Sequence, residues 1–192
     1  MDLTIQEEKE RKSRSAKLLL YFAMISMIMM FAGLTSAYLV SASRKDWTHE
    51  MHMPSAFTFS TLIILISSVT IHLALKSIRQ NDRSKTSLYL WLTLLLAIGF
   101  VYTQFSGFGQ LVDQGFFFTG SGSSITATFL YILALLHMAH LFGGVISLLI
   151  IIYNHYKQKY NASQTLGIEL GAIFWHFLDI LWIFLFLFLY FV

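Results

Sequence analysis

Apolar residues run along this chain in five long blocks, and nearly every charge falls in the short stretches between them. The blocks cover roughly residues 17–41, 56–76, 87–108, 126–153 and 170–192. Each is at or above the length of about 20 helical residues that crosses a hydrocarbon layer about 30 Å thick. Period-two alternation suited to a barrel is absent, and the run 180–189 is apolar on every side. A lone strand would leave backbone N–H and C=O groups unpaired in lipid, so the blocks predict helices. The expected fold is all-α: a polytopic membrane protein built as a bundle of five transmembrane helices.

The connections fit that reading. Residues 1–16 form a charged tail, and 17–192 form one transmembrane domain without internal repeats. Stretch 43–55 holds the single proline, Pro54, and 77–86 is short and polar. Residues 109–125 are rich in Gly and Ser, and 154–169 are polar with two lysines. Basic residues precede the first block, as in a secretory signal, but that block exceeds the 7–15 apolar residues of a signal core. It is expected to stay as the first helix.

Composition sharpens the class. Only 12% of residues are charged and 56% are hydrophobic, about half the charge density of a soluble domain. The formal net charge of +3 does not form a continuous basic face, so nucleic acid is not an expected partner. There is no cysteine, which removes disulfides, thiolate metal sites, iron–sulfur clusters and cysteine nucleophiles.

The thirteen Lys and Arg residues set an orientation. Lys9, Arg11, Lys12, Arg14 and Lys17 precede the first span; Lys76, Arg79, Arg83 and Lys85 join the second to the third; Lys157 and Lys159 join the fourth to the fifth. The other side holds only Arg44 and Lys45. Positive-inside placement puts the N-terminus in the cytoplasm and the C-terminus outside.

Ionisable residues inside the spans are where function could sit, because lipid tolerates them only against protein or water. The fifth span carries Trp175, His176, Asp179 and Trp182. At 100° per residue Trp175, Asp179 and Trp182 share a stripe, with His176 about 60° from Asp179. The fourth span carries His137 and His140, three apart and so neighbours on one face, with Gly144 a turn later where a helix can approach closely. The rise per residue places His140 roughly 14 Å and Asp179 roughly 12 Å from the cytoplasmic edge. The expectation is that His137 or His140 hydrogen-bonds Asp179 and locks the two helices. A metal or haem between His72, His137, His140 and His176 is the sharper alternative, since His is the usual ligand. A His–Asp partnership satisfies both groups without metal, so the expected role of the cluster is structural.

Other features carry less. Arg44, Lys45, Asp46, Trp47 and His49 suit an interfacial loop with a Trp anchor. Glu169 opens the fifth helix, where an acid complements the dipole. The Phe-rich stretch 184–191 is expected to face lipid. Gly120, Ser121, Gly122, Ser123 and Ser124 suit an external loop and lack the lysine and context of a phosphate-binding loop.

Residues 171–185 closely resemble the closing helix of subunit III of haem–copper terminal oxidases: W-H-F-x-D-x-x-W over Trp175 to Trp182, preceded by E-x-G-A at Glu169 to Ala172. His137 and His140 followed by Gly144 are similar to the family's H-x-x-H-x-x-x-G helix. Gln104 with Phe108 and Leu111 resembles its Q-x-x-E-Y-x-x-L stretch, Asp82-Arg83 its short charged loop, and Pro54 with Ser67-Ser68 the run entering its next helix. The ordered set extends from about residue 18 to the end and fits the five-helix bacterial form. Two departures stand out. Aligning Ser26 and Gly33 places Met27 where the family usually has a buried carboxylate, and Gly107 replaces the glutamate after Gln104. Proton-related roles and carbodiimide reactivity of those acids are not carried over.

The resemblance implies a non-catalytic accessory subunit of an aa3-type oxidase in a bacterial inner membrane. Its implied partners are subunits I and II, which hold the haems and copper, with a larger respiratory supercomplex as a further candidate. It implies no redox cofactor on this chain, a lipid-holding cleft walled partly by the first two helices, and a role in sustaining proton-coupled oxygen reduction. His137, His140, His176, Asp179, Trp175, Trp182 and Glu169 are then structural residues. Two other readings remain open: a small b-type membrane cytochrome, and a membrane transporter or assembly factor.

Overall fold

Each apolar block is a helix, and each helix runs past its block at one end or both. The order is α1 (Asp2–Ser41), α2 (Ser55–Arg79), α3 (Arg83–Asp113), α4 (Ile125–Tyr156) and α5 (Leu166–Phe191). The computed structural model describes residues 2–44, 47, 53–120, 123–162 and 164–191. Lys45, Asp46, His49, Ser121, Gly122 and Val192 therefore lie outside the described residues. All five helices are long and apolar enough to cross a membrane.

The largest extension is in α1, where the expected charged tail is helical from Asp2 and continuous with the span. The physical reason is local: no Pro or Gly interrupts it, and Glu8–Lys12 (2.7 Å) and Glu10–Arg14 (3.4 Å) pair one turn apart, the spacing at which opposite charges support a helix. The starts of α3 and α4 are capped by side chains. Asp82 accepts from the Lys85 amide at 3.1 Å and Ser124 from the Ala127 amide at 3.2 Å, satisfying donors that a helix N-terminus leaves free. α2, α3 and α4 stop alike, at Asn81 (φ 60°), Gly115 (φ 86°) and Gln158 (φ 57°). The following amides reach back to Ser77, Leu111 and Asn154, which pairs end carbonyls that would otherwise be orphaned.

α2 and α3 form an antiparallel hairpin on a seven-residue repeat. Ser60, Ser67 and Ala74 recur with Ile64, Ile71 and Ile78 on α2; Leu90, Ala97, Gln104 and Leu111 recur with Thr86, Thr93, Phe100 and Gly107 on α3, all buried. That period keeps one seam facing the partner helix. Three contacts hold a single register: the Phe57 ring lies on Gly107, Gln104 donates to Ser60 at 3.0 Å, and Thr70 meets Thr93 at 2.8 Å.

α2, α3, α4 and α5 close a ring in which each helix touches its two neighbours, and α1 lies outside it against α4 and α5. α1 docks through buried Phe31, Thr35 and Tyr38, one face at helical spacing. Phe31 meets Leu133, Leu181 and Leu185. Inside the ring Trp182 is packed by His137 (ring centroids 5.1 Å), Phe100 (5.3 Å) and Phe57 (6.1 Å). The outer surface is apolar in turn, with Leu19, Phe22, Leu95, Phe142 and Ile180 among the large side chains left exposed. So large an uncovered apolar surface needs lipid or protein around it.

Two outcomes follow. The Asp82 carboxyl is held below the usual carboxylate range, first by its hydrogen bond from the Lys85 ammonium and then by that from the Lys85 amide. Its contribution to the α3 start is present above the unfolded value of about 3.9 and is lost as pH falls through the lower folded value; acid titration of α3 amide exchange should show fraying only there. A Cβ at Gly107 would collide with Phe57, so Gly107→Ala should destabilise the hairpin by about 1–3 kcal/mol. Phe57→Leu should recover part of that loss when both are measured by detergent denaturation.

Candidate functional site

The polar stripe of α5 is buried, and its partners are on α2. Trp175 donates to the Ser67 hydroxyl at 2.8 Å and Trp182 to the Thr61 hydroxyl at 3.0 Å. Each indole thus hides an apolar body in the ring of helices and spends its single N–H across the interface. Between them the His176 Nδ1 lies 2.6 Å from the Ser68 hydroxyl, and the His72 ring stands 6.2 Å from that of His176. Asp179 is 2% exposed, and among the described residues neither carboxyl oxygen has a hydrogen-bond partner.

The expected link from His137 or His140 to Asp179 is not made. The two imidazoles part company around α4. His137 is fully buried against Phe100 and Trp182, and neither of its nitrogens has a partner among the described residues. His140 turns its Nδ1 to the Leu136 carbonyl at 2.7 Å and lays its ring on Phe31 of α1. Residues three apart are offset around a helix, and here that offset sends one ring into the core and the other to the peripheral helix. Gly144 behaves as its spacing predicted: α5 closes on it with Leu178 and Trp175.

Glu169 does more than complement a dipole. It accepts from Thr165 at 2.7 Å, from Lys17 at 3.1 Å and from Arg79 at 3.0 Å. One half-buried carboxylate therefore joins α1 at Lys17 to the end of α2 and the start of α5. Above this clasp a cleft of about 280 Å³ opens between α1 and the α4–α5 pair, lined by Leu20, Ser147, Ile150, Tyr160, Gly171 and Phe174 among others. α1 forms one side of it, while α2 lies across the bundle in contact with α3 and α5. The aromatic stretch 184–191 faces outward only in part, because Leu185 is buried and Phe186 and Leu189 pack on the core.

Sequence reasoning missed Thr61, and it named Ser67, Ser68, Lys17 and Arg79 without assigning them these bonds. The hydroxyls carry a signal in retrospect, as polar residues at near-heptad spacing on an otherwise apolar helix. Among the described residues no three His, Asp or Glu side chains gather at metal-binding spacing. The side chains at hand bond helix to helix and grip ring faces.

These features define a class: a polytopic helical membrane subunit whose intramembrane polar residues join its own helices. Residues 12–192 match the family model described as cytochrome c oxidase subunit III. A cytochrome c oxidase subunit 3 from Thermostichus vulcanus is 32% identical over 171 residues, covering 87% of this chain and 82% of that protein. One from Corynebacterium diphtheriae is 28% identical over 86% of this chain and 82% of its own length. A cytochrome bo(3) ubiquinol oxidase subunit 3 from Buchnera aphidicola is 27% identical over 87% of this chain and 86% of its own length. The chain belongs to the cytochrome c oxidase subunit III family. It is a subunit III of a haem–copper oxidase and sits in a membrane oxidase complex.

The α2–α5 bonds are measurable as couplings. A double-mutant cycle of Trp175→Phe with Ser67→Ala should return a coupling of about 0.6–1.7 kcal/mol, read from detergent unfolding; strict additivity would show that the bond contributes nothing. Glu169→Gln should weaken two partly exposed pairs, each at about 0.2–1 kcal/mol. Because the chain lacks cysteine, spin labels at Ala16→Cys and Lys159→Cys can follow α1, and their distance distribution should broaden in the Gln variant.

Proposed function

We propose that this chain is the non-catalytic subunit III of an aa3-type oxidase in a bacterial inner membrane. Its N-terminus lies in the cytoplasm. It packs on subunit I, while subunits I and II carry the haems and copper and perform oxygen reduction. The chain itself holds no redox cofactor; its cleft takes an acyl chain of a membrane phospholipid, and its presence sustains proton-coupled turnover. The observation that carries this reading is how the family signature is used: Trp175, His176, Trp182 and Glu169 bond to Ser67, Ser68, Thr61, Lys17 and Arg79 of this same chain. Those are the bonds of a scaffold. The relatives are named for both cytochrome c and ubiquinol oxidases, and the donor is chosen on other subunits.

Purification of the native complex in mild detergent tests the proposal. The chain should co-purify with a haem-containing core that mass spectrometry identifies as subunits I and II, and the separated chain should show no Soret band. A Soret band on this polypeptide would instead favour the b-type cytochrome, and a chain standing free of any oxidase would favour a transporter or assembly factor. Asp179→Asn and His140→Ala should each lower retention of the subunit more than the rate of oxygen reduction. Abolished activity in a fully assembled complex would contradict the accessory role.

A further inference from the structure

The outer seam between α2 and α5 differs from the rest of the lipid-side surface. Elsewhere that surface is mainly aliphatic or aromatic, as on α3 with Leu88, Leu95, Ile98 and Phe105, with small hydroxyls such as Ser26 and Ser106. On this seam two imidazoles stand among Leu65, Val69 and Ile180. His72 is exposed, and among the described residues its imidazole makes no hydrogen bond and stands beside the ring of His176. His176 is half-buried and commits only Nδ1, to Ser68. His72 lies four residues inside the apolar block that ends at 76, and His176 six inside the block that starts at 170, or about 6 and 9 Å along the helices at 1.5 Å per residue. At that depth an ionisable side chain facing lipid is costly, and such groups face protein or water instead.

We infer that this seam is a docking surface for another subunit of the oxidase, covered by one of its transmembrane helices with a carboxylate at the level of His72 and His176. The occupant follows from chemistry. Neutral imidazole offers one N–H and one acceptor, and a carboxylate can accept from two such N–H groups at once through its two oxygens. A lipid acyl chain would leave both nitrogens of His72 and the Nε2 of His176 unpaired in hydrocarbon. The aliphatic residues around the pair supply the flat packing surface that membrane helices use. The inference rests on the proposal that the chain assembles with a haem–copper core, and it adds the face through which it does so.

Single cysteines test the seam in the whole complex, because the chain has none of its own. His72→Cys and, on α3, Leu95→Cys would each be labelled with a benzophenone maleimide, irradiated in native membranes, and analysed by mass spectrometry. Replacing His72 breaks no hydrogen bond among the described residues of this chain, so the variant should fold and reach the complex, held by the rest of the interface. The expected result is a crosslink from position 72 to an identified oxidase subunit and none from position 95. His72→Leu should be lost from the complex at lower detergent concentration than wild type. An assembled, haem-containing complex in which position 72 captures no protein, or in which position 95 captures it equally, overturns the inference and leaves the subunit assignment standing. A chain that fails to co-purify with haem overturns both.

Discussion

Inside a bilayer a polar side chain has no water to fall back on, and that constraint organises this molecule. α5 carries four hydrogen-bonding side chains in one stretch of eight residues, Trp175 to Trp182. Three of them find partners on α2, at Ser67, Ser68 and Thr61. Lipid cannot drive helices together hydrophobically, because its tails are as apolar as leucine, so directional bonds and close packing decide which helices pair. The α2–α5 contact is specified this way, and the α2–α3 hairpin by the same means through Gln104–Ser60 and Thr70–Thr93. The ring of four helices then closes around Trp182, whose faces meet His137, Phe100 and Phe57.

α1 stands apart from that ring for a related reason. Apart from buried Thr35, which bonds back to its own helix at Phe31, it offers little polar chemistry in its span. It is held by Phe31 and Tyr38 in one half and by the Lys17–Glu169 pair near the other end. The space between those two attachments is the cleft. Glu169 therefore links the ring to its peripheral helix, and a largely apolar opening between them is the consequence.

Gly107 illustrates how a departure from the family pattern is absorbed. Where a glutamate is expected there is no side chain at all, and the Phe57 ring fills the space. Gln104 beside it remains fully buried and tied to Ser60. The polar anchor of the hairpin persists without the acid. Met27, at the other departure, is half-buried on α1.

The five spans were readable from the sequence because length and apolarity alone satisfy the energetics of crossing a bilayer, whatever each helix touches. The family was readable because the fifth span places its polar residues in a fixed order. Helix ends were less so: the extension of α1 depends on side-chain pairs such as Glu8–Lys12, which compete with the preference of charges for loops. Which helix satisfies which polar group could not be read at all. His140 and Asp179 have similar expected depth and complementary chemistry, yet the structure gives the α5 donors to the hydroxyls of α2 and turns His140 toward α1. Periodicity reports the face a residue occupies on its own helix; the rotation of each helix about its axis, set by all neighbours together, decides what that face meets.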